Sequence, residues 1–393
     1  MNKVTIKDLD VENKKVLVRC DFNVPLDDNK NITDVTRIKG ALPTIKYLLE
    51  RNAKVILCSH LGRPKGEFNM EYSLKPVAIE LSKELGLDVK LASDIVGDSA
   101  KELTANMNPG DVVLLENVRF DAREEENDEG FSKELASLAE VYVNDAFGTA
   151  HRAHSTTAGV ASFLPSAIGF LIEKEIQNLG DNLNNPRRPY VAILGGKKVS
   201  DKIGVITNLL EKVNTILIGG GMSYTFYKAI GKGIGSSVCE EDKIDLAKEI
   251  LKKAEEKHVK ILLPFDNVIA TSLEEDAEVK VSYEIPDGFM GLDIGPETIE
   301  KYVKELEDAN TVFWNGPLGI FEDKRFSKGT EEIAKCLARI DAITVIGGGD
   351  SAAAIESLGL ADKMTHISTG GGASLEYIEG KLLPGIECVP NKD

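Results

Sequence analysis

Tyr190-Val-Ala-Ile-Leu-Gly-Gly-Lys-Lys-Val-Ser-Asp-Lys-Ile203 puts an apolar run, a glycine pair and three lysines into fourteen residues at mid-chain. Tyr190 to Leu194 is rich in β-formers and predicts a buried strand, and Gly195-Gly196 allows a sharp turn. Lys198 and Lys202 are four apart, so a helix starting here carries both on one face. A helix N-terminus offers unpaired N–H groups and partial positive charge, and two ammonium groups beside it would suit a polyphosphate. Taken alone, the stretch is also the ordinary connection of a strand to a helix with solvated lysines.

The same device recurs downstream, in Thr215-Ile-Leu-Ile-Gly-Gly-Gly-Met222, Thr311-Val-Phe-Trp-Asn-Gly-Pro-Leu-Gly319, Thr344-Val-Ile-Gly-Gly-Gly-Asp-Ser351 and Thr365-His-Ile-Ser-Thr-Gly-Gly-Gly-Ala-Ser374. Five strands thus end in glycine turns. Their unequal spacing excludes a solenoid and predicts one sheet whose carboxyl edge is free of side chains, where a nucleotide can collect amide hydrogen bonds. Asp350, just after Gly349, is placed to face a nucleotide-bound Mg²⁺ or to cap its helix. No G-x-x-x-x-G-K-[ST] occurs, and Gly231-Lys-Gly-Ile-Gly235 does not complete G-x-G-x-x-G.

Upstream, strand-like and helix-like runs alternate: Lys15 to Cys20, Val35 to Glu50, Lys54 to Cys58, Leu74 to Leu85, Val112 to Leu115, Phe131 to Ala139 and Val141 to Val143. This βαβ rhythm predicts a second parallel sheet with helices on both faces, hence an α/β protein of two doubly wound, three-layer αβα domains. Ligands of such sheets sit beyond the carboxyl ends of the strands, and three of those ends here supply arginine: Arg63, Arg119 and Arg152. Arg37, near a helix start, falls on the same side. Guanidinium forks converging on one crevice suit a small substrate bearing phosphate and carboxylate. Asp21 and Asn23 offer acceptors for hydroxyls, and His60 a switchable donor. His151 and His154, three apart with no further ligands in sight, make weak zinc ligands. The acidic run Arg123 to Glu129 reads as a solvated loop or helix start.

Lys+Arg 47 against Asp+Glu 64 gives a net charge of −17 in 393 residues, which argues against nucleic acid or an anionic membrane surface as partner. The length suits about two domains. The best boundary is the helical pattern from Gly169 to Gly180 followed by the polar, proline-rich Asn182 to Pro189. Five scattered cysteines with no C-x-x-C spacing suggest reduced thiols. With no apolar signal core near Met1 and no apolar run of membrane-spanning length, the expected setting is the cytoplasm.

With these motifs in view, the chain closely resembles the phosphoglycerate kinase family over essentially its whole length. The matching stretches are Arg19-Cys-Asp-Phe-Asn-Val-Pro25, Ser59-His-Leu-Gly-Arg-Pro64, Glu116-Asn-Val-Arg-Phe120, Asn144-Asp-Ala-Phe-Gly-Thr-Ala-His-Arg-Ala-His154, Leu194-Gly-Gly-Lys-Lys-Val199, Trp314-Asn-Gly-Pro317 and Gly347-Gly-Gly-Asp350. The resemblance implies an N-terminal domain, 1–170 plus 376–393, for 3-phosphoglycerate or 1,3-bisphosphoglycerate, a linking helix and hinge at 171–185, and a C-terminal domain, 186–375, for MgADP or MgATP. It implies a monomer. By motif match, Asp21, Phe22, Asn23, Arg37, His60, Leu61, Gly62, Arg63, Arg119 and Arg152 would hold the glycerate. Lys198, Lys202, Gly219, Gly220, Gly291, Asn315, Pro317, Glu322, Gly348, Gly349, Asp350 and Ser351 would serve the nucleotide, with Glu322 on the ribose and Asp350 towards Mg²⁺. Arg37, Lys202, Gly371 and Gly372 would surround the phosphoryl group in flight. Two positions depart from the family pattern: Lys197 stands where alanine is usual, and Cys20 where valine is usual.

A nicotinamide-dependent oxidoreductase of two doubly wound domains should carry a dinucleotide fingerprint, and none is found. A hinged anion-binding protein would explain the arginines but not the glycine edges with Asp350, and it should ignore ADP. The reaction implied by the resemblance needs no general base, because the attacking carboxylate is already ionised at neutral pH. It needs alignment and positive charge, expected from Arg37 and Lys202 as the halves close about Gly169 to Pro189 and exclude water. Solution scattering should therefore show compaction when both ligands are bound, and an unchanged radius of gyration would refute closure.

Overall fold

The computed structural model describes residues 2–392. By internal contacts the chain divides into two compact units, Met1–Gln177 with Leu382–Asp393, and Asn178–Lys381.

In the first unit the apolar runs form β1 (Lys15–Arg19), β2 (Lys54–Cys58), β3 (Val89–Leu91), β4 (Val112–Leu114), β5 (Val141–Asn144) and β6 (Ser166–Ile168). They pair in parallel in the order β3-β4-β2-β1-β5-β6. Between them run α1 (Thr36–Glu50), α2 (Lys75–Leu85), α3 (Asp98–Ala105) and α4 (Glu129–Ala136), and α5 (Phe170–Glu175) follows β6. Alternate side chains of a strand point to opposite faces, so near-continuous apolar runs feed two cores. Val16, Val18, Val55 and Leu57 pack with Ile38 and Ile45 of α1 and Leu81 of α2. Leu17, Ile56, Val113 and Tyr142 pack with Phe131 and Leu135 of α4. β3, α3 and β6 lay outside the sequence reading: two are edge strands of three residues, too short for a periodic signal.

The second unit opens with π-helical Ile176–Asp181, inside which the division falls, and the single turn α6 (Asn182–Asn184). There follow β7 (Tyr190–Leu194), α7 (Ile203–Leu209), β8 (Thr215–Ile218), α8 (Met222–Ala229), α9 (Ile244–Glu256) and β9 (Lys260–Leu262). After an insert come α10 (Pro296–Glu307), β13 (Thr311–Asn315), α11 (Lys328–Arg339), β14 (Ile343–Gly347), α12 (Gly349–Ser357), β15 (His366–Ile367) and α13 (Gly372–Ile378). The parallel order is β15-β14-β13-β7-β8-β9, so the five glycine-ended strands are contiguous and the one without a glycine turn lies at the edge. Val191, Ile193, Val312, Trp314 and Ile346 pack against Tyr302 of α10 and Ile333 of α11. The insert, β10 (Asn267–Ala270), β11 (Val279–Ser282) and β12 (Met290–Ile294), is an antiparallel sheet in the order β11-β10-β12 that the sequence reading did not contain.

The return of the tail falls later than Glu376. Ile378 O accepts from Asn208 Nδ2, and an added Cβ on Gly204 would lie 2.6 Å from Glu379, so these residues belong with α7. From Leu382 onward, through α14 (Pro384–Glu387), the chain packs in the first unit. Asn144 Nδ2 donates to Gly385 O at 2.7 Å, Lys3 Nζ to Val389 O at 2.9 Å, and Lys3 bridges Asn391.

Asp145, wholly buried beyond β5, organises the start of α5. Its Oδ1 accepts from Leu171 N at 2.9 Å, while Phe170 N donates to Thr44 Oγ1 of α1 at 3.0 Å. These bonds satisfy helix-end donors that would otherwise be orphaned. Burial nevertheless pushes the Asp145 carboxyl up to about 7, against the hydrogen bonds from Thr44 and the α5 amides. A carboxyl whose pKa is raised by folding makes the native state bind more protons than the unfolded one, so the contribution of Asp145 to stability is most favourable below pH ~4 and is lost as pH rises through 7. Asp145→Asn keeps an acceptor for Leu171, and urea midpoints measured from pH 4 to 7 should be flatter in this variant than in the parent.

Candidate active site

At the carboxyl ends of β1, β2 and β4, the first unit gathers guanidinium groups. Arg37, second residue of α1, donates from Nη1 to Asp21 Oδ2 at 2.7 Å and keeps 38% of its side chain exposed. Asn23 Oδ1 accepts from Gly62 N at 2.8 Å, which fixes the β2 turn to the β1 turn. Arg119 is buried and donates from Nη1 to Gly62 O at 3.0 Å, and its Nε lies 3.6 Å from a Glu125 carboxylate oxygen. Burial lowers its pKa below the ordinary guanidinium value. Arg152 is half-buried and Arg63 exposed. Phe22 and Leu61 are buried: Phe22 N donates to Ser59 Oγ, and Leu61 O accepts from Asn117 Nδ2, so both shape the backbone beneath the arginines. Arg37, Arg119 and Arg152 all act electrostatically on His60, which brings them to one locality.

Two expectations change here. His60 is not a switchable donor: burial first, then Arg19, Arg119, Arg37 and Arg152, hold its pKa well below the ordinary histidine value. The run Arg123 to Glu129 is not wholly solvated either. Glu124 is fully buried, and its oxygens accept from the backbone N–H of Thr156, at 3.0 Å, and from the Thr156 hydroxyl. Thr156 Oγ1 in turn accepts from Nε of the fully buried Arg19 at 2.8 Å. The acidic composition around Glu124 masked this layer; a charged residue ending an otherwise apolar strand, as Arg19 does, was its available signal.

In the second unit three turns interlock. Gly195 N donates to Asn315 O at 2.9 Å, Gly196 N to Pro317 O at 3.0 Å, and Gly220 N to Leu318 O at 3.0 Å. An added Cβ on Gly195 would lie 2.1 Å from Pro317 O, and one on Gly316, whose φ is 93°, 2.3 Å from Gly195 O. Asn315, Gly348 and Ser351 knit the next layer: Asn315 Nδ2 donates to Gly347 O at 2.7 Å, Ser351 Oγ accepts from Gly316 N at 2.6 Å, and Gly348 caps α12. Asn315 and Ser351 are thus buried and already engaged.

Lys202 Nζ donates to Asn315 Oδ1, and Lys202 Cε would be 3.8 Å from a Cβ on Gly196, so the side chain folds back over the turn. Burial lowers its pKa, opposed by Asp201 and Asp350. Lys198 does not share a helical face with it. It sits in the irregular stretch before the 3₁₀ turn Ser200–Lys202, and α7 begins only at Ile203, because Glu240 reaches across to take the Ser200 N–H at 3.1 Å and its hydroxyl.

A cleft of about 430 Å³ opens beside this edge. Gly196, Gly220, Pro317 and Asp350 line its polar side, with exposed Glu322 also on its wall. Lys197 lines it and Lys198 does not. Its apolar side is Tyr224, Val238, Leu273, Met290, Leu292 and Ile320, which the sequence reading missed because they come from α8, two loops and the antiparallel insert. Gly291 lies on the floor: Gly291 N donates to Ser237 Oγ at 2.9 Å, and an added Cβ would be 2.2 Å from Tyr224 Oη. Gly219 underlies the edge, where a Cβ would meet Leu318 at 2.5 Å. Gly349 is exposed at the head of α12, and Gly371, with φ 54°, and Gly372 form an exposed turn into α13.

A family model described as phosphoglycerate kinase matches residues 6–381. The phosphoglycerate kinase of Clostridium tetani is 60% identical over 396 residues, covering 100% of this chain and 98% of that protein. That of Clostridium perfringens is 60% identical over 395 residues, covering 100% and 99%. Among solved structures, phosphoglycerate kinase from Coxiella burnetii superposes with a TM-score of 0.92 at 42% identity, covering 98% of both chains. The enzyme from Pyrococcus horikoshii OT3 does so with 0.83 at 34%, again over 98% of both. With glycine-edged and arginine-edged parallel sheets in separate units and matches of this extent, the chain belongs to the phosphoglycerate kinase family.

Proposed function

We propose that the arginine-edged sheet holds the glycerate, and the glycine-edged sheet the nucleotide, for the reaction this enzyme catalyses. That reaction is the reversible phosphoryl transfer between 1,3-bisphosphoglycerate and ADP that gives 3-phosphoglycerate and ATP. The carrying observation is the cleft of about 430 Å³, lined by apolar side chains and by bare backbone, with the carboxylates of Asp350 and Glu322 also in its lining. Such a slot accepts a flat aromatic base against Val238, Leu292 and Met290 and leaves phosphates to amides and lysines.

In this reading Gly219, Gly220, Pro317, Gly348 and Gly349 supply close backbone, Glu322 receives the ribose hydroxyls, and Lys198 and Lys202 neutralise phosphate. Asn315 and Ser351 act by fixing Lys202 and the Gly316 turn. The family's nucleotide is commonly used with Mg²⁺. The exposed Asp350 carboxylate, next to the Gly348-Gly349 turn, fits a Mg²⁺ carried mainly by the nucleotide phosphates; bound there, the metal would supply charge neutralisation. Among the described residues no three His, Cys, Asp or Glu side chains form an independent metal cluster.

On the glycerate side, Arg119, Arg152 and Arg63 would hold the phosphate, with Asp21, Asn23 and His60 at the hydroxyl and carboxyl groups. The attacking oxygen is a carboxylate already ionised at neutral pH, so no base is required. Arg37 would turn positive charge towards the reacting end of the glycerate, and Lys202 with the Gly371-Gly372 amides towards the terminal phosphate of the nucleotide. We further place the enzyme in the cytoplasm as a monomer; among the described residues no helix is long and apolar enough to cross a membrane.

A coupled assay with ATP and 3-phosphoglycerate tests the reading directly, and absence of turnover would overturn it. Arg37→Ala should lower kcat by ~10²–10³-fold while weakening glycerate binding far less, since its charge is needed most in the transition state; an unchanged kcat would refute that role. Gly291→Ala should drive a methyl group into Tyr224 and raise the Kd for ADP at least ~10-fold by calorimetry, leaving 3-phosphoglycerate affinity unaltered.

A further inference from the structure

His60 stands two residues after the end of β2, and its Nδ1 lies 3.2 Å from Arg19 Nη2. A guanidinium has donors only, so Nδ1 must accept and must carry no proton. The proton of a neutral ring is then on Nε2. Protonating Nδ1 would set an N–H against the guanidinium N–H, and the charged groups that act on the ring, Arg19, Arg119, Arg37 and Arg152, are all cationic. The neighbouring carboxylates are occupied, Asp21 by Arg37 and Glu124 by Thr156.

Arg19 is itself immobilised. It is fully buried, its Nη1 donates to Cys20 O, and its Nε donates to Thr156 Oγ1 at 2.8 Å. Having accepted that bond, the threonine hydroxyl donates to Glu124 Oε1, and the Thr156 N–H occupies Oε2 at 3.0 Å. One edge of the guanidinium is thus committed to a buried carboxylate through one hydroxyl, and the other is left facing the imidazole. Buried charges of this kind persist only when every member has its partner, which fixes the geometry of the whole chain of groups.

We propose that Arg19 is a positioning residue: anchored on Glu124 through Thr156, it locks His60 as the neutral tautomer with its proton on Nε2, giving the glycerate site a fixed, uncharged donor. The proposal rests on the assignment of His60 to glycerate. An unconstrained histidine titrates near neutrality and would make glycerate affinity follow the pH of the cell; here that dependence is removed by geometry.

The test is ¹⁵N NMR of the full chain labelled at histidine, with His60 assigned by its loss in His60→Gln. The wild-type ring should keep the Nε2–H pattern from about pH 5.5 to 8.5. Arg19→Met combined with Glu124→Gln removes both buried charges at once, so neither is left alone in the core. In that variant His60 should titrate within the range, and the KM for 3-phosphoglycerate should change ~10-fold between the two pH limits with kcat changing less. Thr156→Val, which deletes only the linking hydroxyl, should move both readouts in the same direction. An Nδ1–H tautomer or an imidazolium in the wild type, or an unaltered His60 spectrum in the double variant, would overturn the lock. If the wild-type ring is locked but His60→Ala leaves the KM unmoved, the lock stands and the assignment of His60 to glycerate fails.

Discussion

Gly195 and Gly316 approach so closely that neither can carry a side chain. A Cβ on the first would overlap Pro317 O and one on the second would overlap Gly195 O. This backbone-on-backbone contact fixes much of the second unit's edge. It joins the turns after β7 and β13, lets Trp314 Nε1 bond Gly316 O at 2.7 Å, and presents Asn315 to Lys202. The interlock withdraws side chains from the rim, and that withdrawal leaves amides and the cleft wall open to a polyphosphate.

The first unit meets the opposite problem. Several guanidinium groups in one locality repel one another, and desolvation adds to the cost. The structure distributes this load: Asp21 takes Arg37, Glu125 lies beside Arg119, and Glu124 lies below with Arg19 across a threonine hydroxyl. The positive face offered to an anion is therefore supported by acceptors of graded exposure: Glu125 is exposed, Asp21 partly buried and Glu124 wholly buried, and Glu124 lies far in the sequence from the Arg19 it serves.

That distance is why the two sites were unequally legible. The arginines and glycines stand at strand ends, where a βαβ rhythm marks a residue as facing ligand, and Arg37, Arg119, Gly195 and Asp350 could be read from their spacing alone. Glu124 could not, because burial depends on a tertiary fold that brings the loop after β4 against Thr156. The apolar wall of the cleft failed for the same reason: Val238, Leu273 and Met290 are brought together by an antiparallel insert whose strands of four to five residues carry little periodic signal. Lys198 illustrates a narrower limit. The i, i+4 spacing to Lys202 implied a shared helical face, but the acceptor that delays the helix, Glu240, is forty residues away.

The second unit is contiguous, Asn178–Lys381, whereas the first is written in two pieces and joined by contacts such as Lys3 to Val389, 386 positions apart. During synthesis, which proceeds from the N-terminus, the glycine-edged sheet is made in full while the arginine-edged unit still lacks the strip that seals Asn144 and the first strand-like residues. The order of assembly thus inverts the order of the sequence: the unit begun first is the last to be completed, and its closure over a very long loop makes it the high-contact-order part of the fold.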